Sequence, residues 1–273
     1  MRISLLRPLR TLLTLLCVAL VAACSSNKSP PAPEQVQPTP QTQLVKPQEV
    51  PVSARAQIRV DLATGYYERG QVEVALQELA EASKLDPGNA RIYNLYGLVY
   101  GILGEDTNAE QNFRRALQLS PNDSEIHQNW GWFLCTHGRA RESLVEFDAA
   151  VRNPLYRNPD ISLINAGKCA ASIGESKRAE EYFRRALEVA PGNATAAYNL
   201  SLLAFKDARL DDARGYMKPV MRQTNPPAEA LFLGMCIERK LGDRQAEMSY
   251  VSQLRNRFPE AAETKAIATG GCD

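Results

Sequence analysis

Histidine is nearly absent from this chain, with two among 273 residues. That leaves no material for a histidine-rich metal centre. Aromatics are sparse at 7%, and neither sign of charge dominates: 32 Lys and Arg face 31 Asp and Glu, a net of +1. Bulk charge of that kind argues against a nucleic-acid binder. No P-loop, G-x-S-x-G or H-E-x-x-H motif occurs, so the chain offers no signature of a catalytic site, a bound cofactor or a small-molecule substrate. His127 and His137 are ten apart and match no ligand-pair spacing. A long apolar run is also missing: Leu12 to Val21 is too short to span a bilayer. What remains, 44% hydrophobic and 23% charged residues, is ordinary globular composition.

The short apolar run has its own meaning. Arg2, Arg7 and Arg10 precede it without any acidic residue, and Ala22-Ala23-Cys24 follows it. This is the pattern of a signal peptide over 1–23, with small residues for the peptidase. Cys24 then supplies the thiolate that takes a lipid. A plain secretory signal with an accidental Cys is the simpler alternative. Ser25 and Ser26 follow with no Asp beside Cys24, which by resemblance to bacterial lipoproteins favours the outer membrane. Loss of 1–23 leaves 29 basic against 31 acidic residues. Residues 24–53 then read as a lipidated Cys and a flexible tether, since seven of residues 25–53 are Pro. Proline favours extended backbone, with a reach on the order of 90 Å here.

Self-similarity governs the rest. Asp86-Pro87-Gly88-Asn89, Ser120-Pro121-Asn122-Asp123 and Ala190-Pro191-Gly192-Asn193 are turn tetrapeptides, and Pro87 and Pro121 are one tetratricopeptide (TPR) period of 34 apart. Six repeats follow, at 56–89, 90–123, 124–157, 160–193, 194–227 and 227–260. Their eighth positions are small: Ala63, Gly97, Gly131, Gly167, Ser201 and Gly234. Large residues stand at the twenty-fourth position, including Phe113, Phe147, Phe183 and Tyr250. Small residues let two helices cross closely while the large ones fill the space between repeats. The expected fold is all-α: a right-handed TPR superhelix, an α-α solenoid of helix-turn-helix repeats. Segment 260–273 supplies a capping helix, Glu260 to Ala268. Segment Asn153–Pro159 breaks the period, so repeats three and four start 36 apart. An unrelated helical bundle is the alternative.

By analogy with known TPR geometry, the first helix of each repeat lines a concave face. That face would carry Val60, Tyr67, Leu98, Trp132 and Tyr198, with Asn94, Ile164, Leu231 and Met235 beside them, and is apolar and aromatic for the most part. An apolar stripe of this kind marks a protein-binding site unless the chain's own termini cover it. Cys135 and Cys169 are 34 apart, on corresponding helices of consecutive repeats. In an oxidising compartment they could form a disulfide; the alternative is two small buried residues. Cys236 and Cys272 have no assignment.

The segments Asn129-Trp130-Gly131-Trp132-Phe133-Leu134-Cys135, Asn153-Pro154-Leu155-Tyr156, Asn165-Ala166-Gly167-Lys168-Cys169 and Leu233-Gly234 through Leu241-Gly242-Asp243 go beyond generic TPR requirements. With the lipid-attachment Cys and the tether, the chain resembles the type IV pilus biogenesis/stability TPR lipoproteins, the PilF/PilW-type secretin pilotins. The resemblance covers about residues 56–265, and part of that family carries a similar cysteine pair. It implies a non-enzymatic escort at the periplasmic face of the outer membrane. Its partners would be the lipoprotein sorting machinery, the membrane through N-terminal acyl chains, and the pilus secretin, whose localisation and multimerisation it would promote. It also points to the N-terminal repeats for docking. Two rival classes stand beside it: an adaptor for peptidoglycan hydrolases, and an enzyme with a TPR appendage.

Overall fold

Each turn tetrapeptide does two jobs in the computed structural model, which describes residues 51–272. Its proline stops one helix, because it has no amide donor to continue the ladder. Its last residue starts the next. Asn89 Oδ1 accepts from Arg91 N (3.1 Å), Asp123 from Glu125 N (2.9 Å) and Ile126 N (3.2 Å), and Asn193 from Thr195 N and Ala196 N (both 3.1 Å).

Repetition of this unit gives thirteen helices among the described residues. They are α1 (Val52–Glu68), α2 (Val72–Leu85), α3 (Ala90–Leu103), α4 (Asp106–Leu119), α5 (Ser124–Thr136), α6 (Ala140–Ala150), α7 (Pro159–Ser172), α8 (Ser176–Val189), α9 (Ala194–Lys206), α10 (Leu210–Met221), α11 (Ala228–Leu241), α12 (Arg244–Arg257) and α13 (Ala262–Thr269). The fold is a TPR solenoid of six antiparallel helix pairs with a short thirteenth helix at the end. No strand occurs among the described residues. Odd-numbered helices α1, α3, α5 and α7 touch one another in turn, and α9 touches α11. The even-numbered helices do not approach each other to the same degree. The odd-numbered set therefore lines the inner side of the stack.

The inter-helix turns repeat with the same precision. Gly70, Gly104, Gly138, Gly174 and Gly242 all have φ between 71° and 81°. The equivalent residue of repeat five is Ala208, with φ 57°. A Cβ in the left-handed region strains the backbone, so this turn is the costly one. Gly138 and Gly174 stand 36 apart where the others stand 34 apart, which places the two extra residues between repeats three and four. There α6 ends early, at Ala150, and Pro159 opens α7. Leu155, at the tip of the connection, is 85% exposed.

Small residues at the eighth position set the packing distance. A Cβ on Gly97 would lie 2.8 Å from the Phe113 ring, one on Gly131 3.0 Å from Phe147, one on Gly167 2.5 Å from Phe183 and one on Gly234 2.9 Å from Tyr250. The three phenylalanines are fully buried. Repeat five solves the crossing differently: the buried Ser201 hydroxyl donates to the Ala213 carbonyl at 2.9 Å, tying α9 to α10.

The end of the tether and the start of the cap differ from the sequence expectation. The tether was expected to run to residue 53, yet α1 begins at Val52. The Pro51 carbonyl already accepts from Arg55 N at 3.0 Å, so Pro51 is the last irregular residue and Val52 and Ser53 form the first helical turn. The cap was expected from Glu260, but α13 starts at Ala262, because Phe258 to Ala261 closes a turn after α12. Gly270 ends it, with φ 77°. The signal segment 1–23, Cys24 and tether residues up to 50 lie outside the described residues.

Two opposite substitutions check this account. Gly167→Ala should destabilise the chain by about 1–3 kcal/mol, because the buried Phe183 ring cannot retreat. Ala208→Gly should stabilise it by roughly 1 kcal/mol by relieving the left-handed alanine. Urea unfolding reads both; a neutral Gly167→Ala would refute the close crossing.

Candidate functional site

Glycine spacing on α3 creates the one groove that unites three of the expected contact residues. Gly97 and Gly101 lie one turn apart, and a Cβ on Gly101 would sit 3.2 Å from the Phe133 ring. Without those side chains, Phe113 and Phe133 close in and form a floor. The aromatic rings form a continuous chain: Phe113 tilts against Trp130 at 5.3 Å between centroids, Trp130 stacks on Phe133 at 5.5 Å and Phe133 on His137 at 4.0 Å. Above this floor opens a cavity of about 180 Å³, bounded by Tyr67 of α1, Leu98 and Ile102 of α3, and Trp132 of α5. Trp132 is 42% exposed and Ile102 61%. Asn129, Thr136 and His137 supply its polar edge. His137 Nδ1 donates to the Phe133 carbonyl (2.7 Å) while Nε2 faces Asp106 (3.1 Å), so the ring is held in place.

The remaining expected contacts fall elsewhere. Val60 is 1% exposed and packs with Ala63, Leu79, Ile92 and Val99, so it is a core residue and cannot touch a partner. Asn94, Ile164, Leu231 and Met235 are buried likewise. Asn94 and Ile164 face a neighbouring helix pair, whereas Leu231 and Met235 are covered by α12 and by the segment after it that carries Ile267. Tyr198 lies far along the stack in a separate cavity of about 480 Å³, with Leu202, Phe205 and Phe232. Ile102 is the residue that sequence reasoning missed in the first groove. Gly101 and Gly104 on either side of it were the available signal.

The cysteines are paired in the structure. Cys135 of α5 and Cys169 of α7 form one disulfide, with Cα atoms 5.9 Å apart; Cys236 of α11 and Cys272 form another, at 5.4 Å. Both link elements beyond a single helix hairpin. Among the described residues no group of three or more His, Cys, Asp or Glu could hold a metal ion. Nor is any described helix long and apolar enough to cross a membrane.

Comparison with known proteins agrees with this architecture. A tetratricopeptide-repeat family model matches residues 60–124 and 164–218. The crystal structure of PilW, a widely conserved type IV pilus biogenesis factor, is 32% identical with a TM-score of 0.68, spanning 78% of this chain and 98% of that one. The type IV pilus assembly protein PilF of Pseudomonas aeruginosa is 26% identical over 204 residues, 75% of this chain and 81% of PilF. The solved PilF structure superposes with a TM-score of 0.72 at 24% identity, covering 80% of this chain and 99% of that one.

The chain belongs to the PilF/PilW family of type IV pilus biogenesis TPR proteins.

Within this PilF/PilW-type stack, His127 of α5 is built into the scaffold instead of a site. Its Nδ1 lies 2.7 Å from Glu146 of α6, and its Nε2 lies 2.9 Å from the Pro121 carbonyl. Both neighbours are acceptors, so only the doubly protonated ring satisfies both. Burial disfavours that charge. The bonds to Glu146 and Pro121, with the charges of Glu146 and Asp123, outweigh it and raise the pKa above the ordinary 6.5. A raised folded pKa means stability that is full below about pH 6.5 and is lost as pH climbs through the folded value. His127→Gln should therefore cost about 1–2 kcal/mol at pH 6 and less at pH 9, read by thermal unfolding at both. Equal losses at the two pH values would contradict a charged His127.

Proposed function

We propose that this family member is a lipid-anchored envelope pilotin that escorts the type IV pilus secretin. The observation that carries the reading is the open apolar groove of Tyr67, Leu98, Ile102 and Trp132 in the first three repeats. Soluble repeat scaffolds rarely leave a tryptophan and an isoleucine side by side in water without a use for them. The groove has the character of a hot spot: a large aromatic on a rigid aromatic floor, rimmed by polar groups. A secretin segment docking there would bury Trp132 and Ile102 together.

The sequence completes the scheme. Signal segment 1–23 directs export, Cys24 takes the acyl chains, and the sorting machinery delivers the protein to the periplasmic face of the outer membrane. Two or three chains at about 0.8 kcal/mol per buried methylene anchor it stably. The proline-rich segment then leaves the repeats free to hold cargo near the bilayer. An oxidising periplasm also suits the two disulfides. The role asks for binding and release, with no bond chemistry, and is thus that of a non-enzymatic carrier.

Two experiments test separate parts of the scheme. Mature protein used as bait on outer-membrane extract should recover the secretin. Trp132→Ala should lower that recovery by about tenfold, the usual scale of an aromatic hot spot, while leaving the melting temperature unchanged. An eluate without secretin, together with normal secretin rings in a deletion strain, would defeat the pilotin reading. If peptidoglycan hydrolases are captured instead, the adaptor role takes its place. Metabolic palmitate labelling should mark the chain and vanish in Cys24→Ser; label retained in that variant would exclude Cys24 as the anchor.

A further inference from the structure

The cavity around Tyr198 has a construction unlike the first groove. One side is the inner face of repeats five and six: Tyr198, Leu202 and Phe205 of α9, with Phe232 and Leu233 of α11. The other side is Ala262, Glu263 and Ala266 of α13, with Gly271 and Cys272 after it. The volume, about 480 Å³, falls within the range of ligand pockets. Its walls are mainly apolar, and its charges are sorted by position. Glu229 and Glu263 stand at the end where α11 and α13 begin. Lys206 stands where α9 ends, and Lys240 of α11 lies 4.9 Å over the Phe205 ring. The Tyr198 phenol senses the acidic end: burial first, then the carboxylates of Glu229 and Glu263, push its pKa up.

We infer that this cavity is a second peptide-docking site, taking a short apolar segment with a basic residue at one end and an acidic residue at the other. The charge arrangement favours that occupant. A cation would meet Glu229 and Glu263, and an anion would meet Lys206 and Lys240, with the apolar residues between them against Leu202 and Phe205. From Tyr198 to Lys206, α9 rises about 12 Å. That distance corresponds to about four extended residues. The inner face of α9 and α11 is regular TPR surface, so the site uses the same side of the stack as the first groove.

Its outer wall is held by one covalent bond. No residue of α13 is buried. Ile267 packs partly against α11 and α12, and the Thr264 hydroxyl donates to the Phe258 carbonyl at 2.6 Å. These are slender attachments for an eight-residue helix, which is too short to persist alone in water. Cys272, just after it, is 8% exposed and bonded to Cys236 at the bottom of the site. The Cys236–Cys272 bridge thereby fixes the wall that shapes the cavity.

The test uses the full-length chain in lipid nanodiscs and a fluorescein-labelled peptide, Lys-Leu-Leu-Phe-Glu between glycines, with empty nanodiscs subtracted. Anisotropy should show saturable binding. Leu202→Arg should weaken it by about tenfold or more, the loss expected for a charge in an apolar site, whereas Trp132→Ala should not change it. A peptide with alanines in place of the three apolar residues should not bind. In the Cys236→Ala/Cys272→Ala variant, hydrogen exchange across 262–270 should rise to unfolded rates while α9 and α11 stay protected, and peptide affinity should fall. No saturable binding, or binding indifferent to Leu202→Arg, overturns the site. Protection of 262–270 that survives loss of the bridge overturns its role in holding the wall. Because the readout involves no secretin, failure here leaves the pilotin proposal standing, and the reverse holds equally.

Discussion

Everything in this solenoid depends on the close crossing of paired helices. The crossing needs a position without a side chain facing a ring that fills the vacated space. Gly97 against Phe113, Gly131 against Phe147, Gly167 against Phe183 and Gly234 against Tyr250 are the same contact made four times. A glycine inside a helix costs about 1 kcal/mol relative to alanine. The buried ring returns more than that, since full burial of a large apolar side chain contributes about 1.5–3 kcal/mol. The exchange is favourable only if the neighbouring pair stacks on the ring. Each repeat thus leans on the next, and the stack is stabilised through its interfaces more than within its units.

The first groove is a by-product of that contact carried one turn further. Gly101 continues the glycine face of α3, so Phe133 from the following repeat enters beside Phe113. The two rings form a floor, and the side chains that would ordinarily cover it are displaced to the rim. Trp132 and Ile102 are left exposed because the positions beneath them are already full. A packing rule that builds the scaffold also produces a rigid, unsatisfied apolar surface at its N-terminal end. Rigidity matters, since a preformed groove loses little conformational entropy when an apolar segment settles into it.

Much of this was legible in residue spacing. Period 34, the small eighth positions and the turn tetrapeptides gave the helix pairs, and Asn153–Pro159 gave the one irregular step. Which A-helix residues face outward was less legible. Val60 and Asn94 obey the positional analogy yet are buried, because a stack of twisted pairs turns each inner face slightly toward its neighbour. Cys236 and Cys272 were unassignable for another reason. Cys272 lies outside any repeat, so no period relates it to Cys236, and only the path of the chain after Pro259 brings them together. Repeat five carries Ser201 at its eighth position because its crossing uses a hydroxyl, donated to the Ala213 carbonyl, where its neighbours use bare glycine.

The bridges and charge pairs then acquire a common logic. A quasi-one-dimensional stack has few contacts between distant residues, so nothing but neighbour interfaces resists local opening. Arg139 reaches back to Glu110 at 2.8 Å and Arg209 to Glu180 at 3.0 Å, each joining the turn of one repeat to the second helix of the previous one. Such part-exposed pairs contribute modestly, about 0–1 kcal/mol. The disulfide between α5 and α7 spans 34 residues and limits the unfolded chain far more, by about 3–4 kcal/mol in the loop-entropy account. It crosses the interface between repeats three and four, where two extra residues widen the connection and α6 is the shortest helix of the six pairs. The covalent tie therefore stands where the periodic packing is most interrupted. The second bridge stands at the other interruption, the end of the stack, where α13 has only one neighbouring pair to lean on.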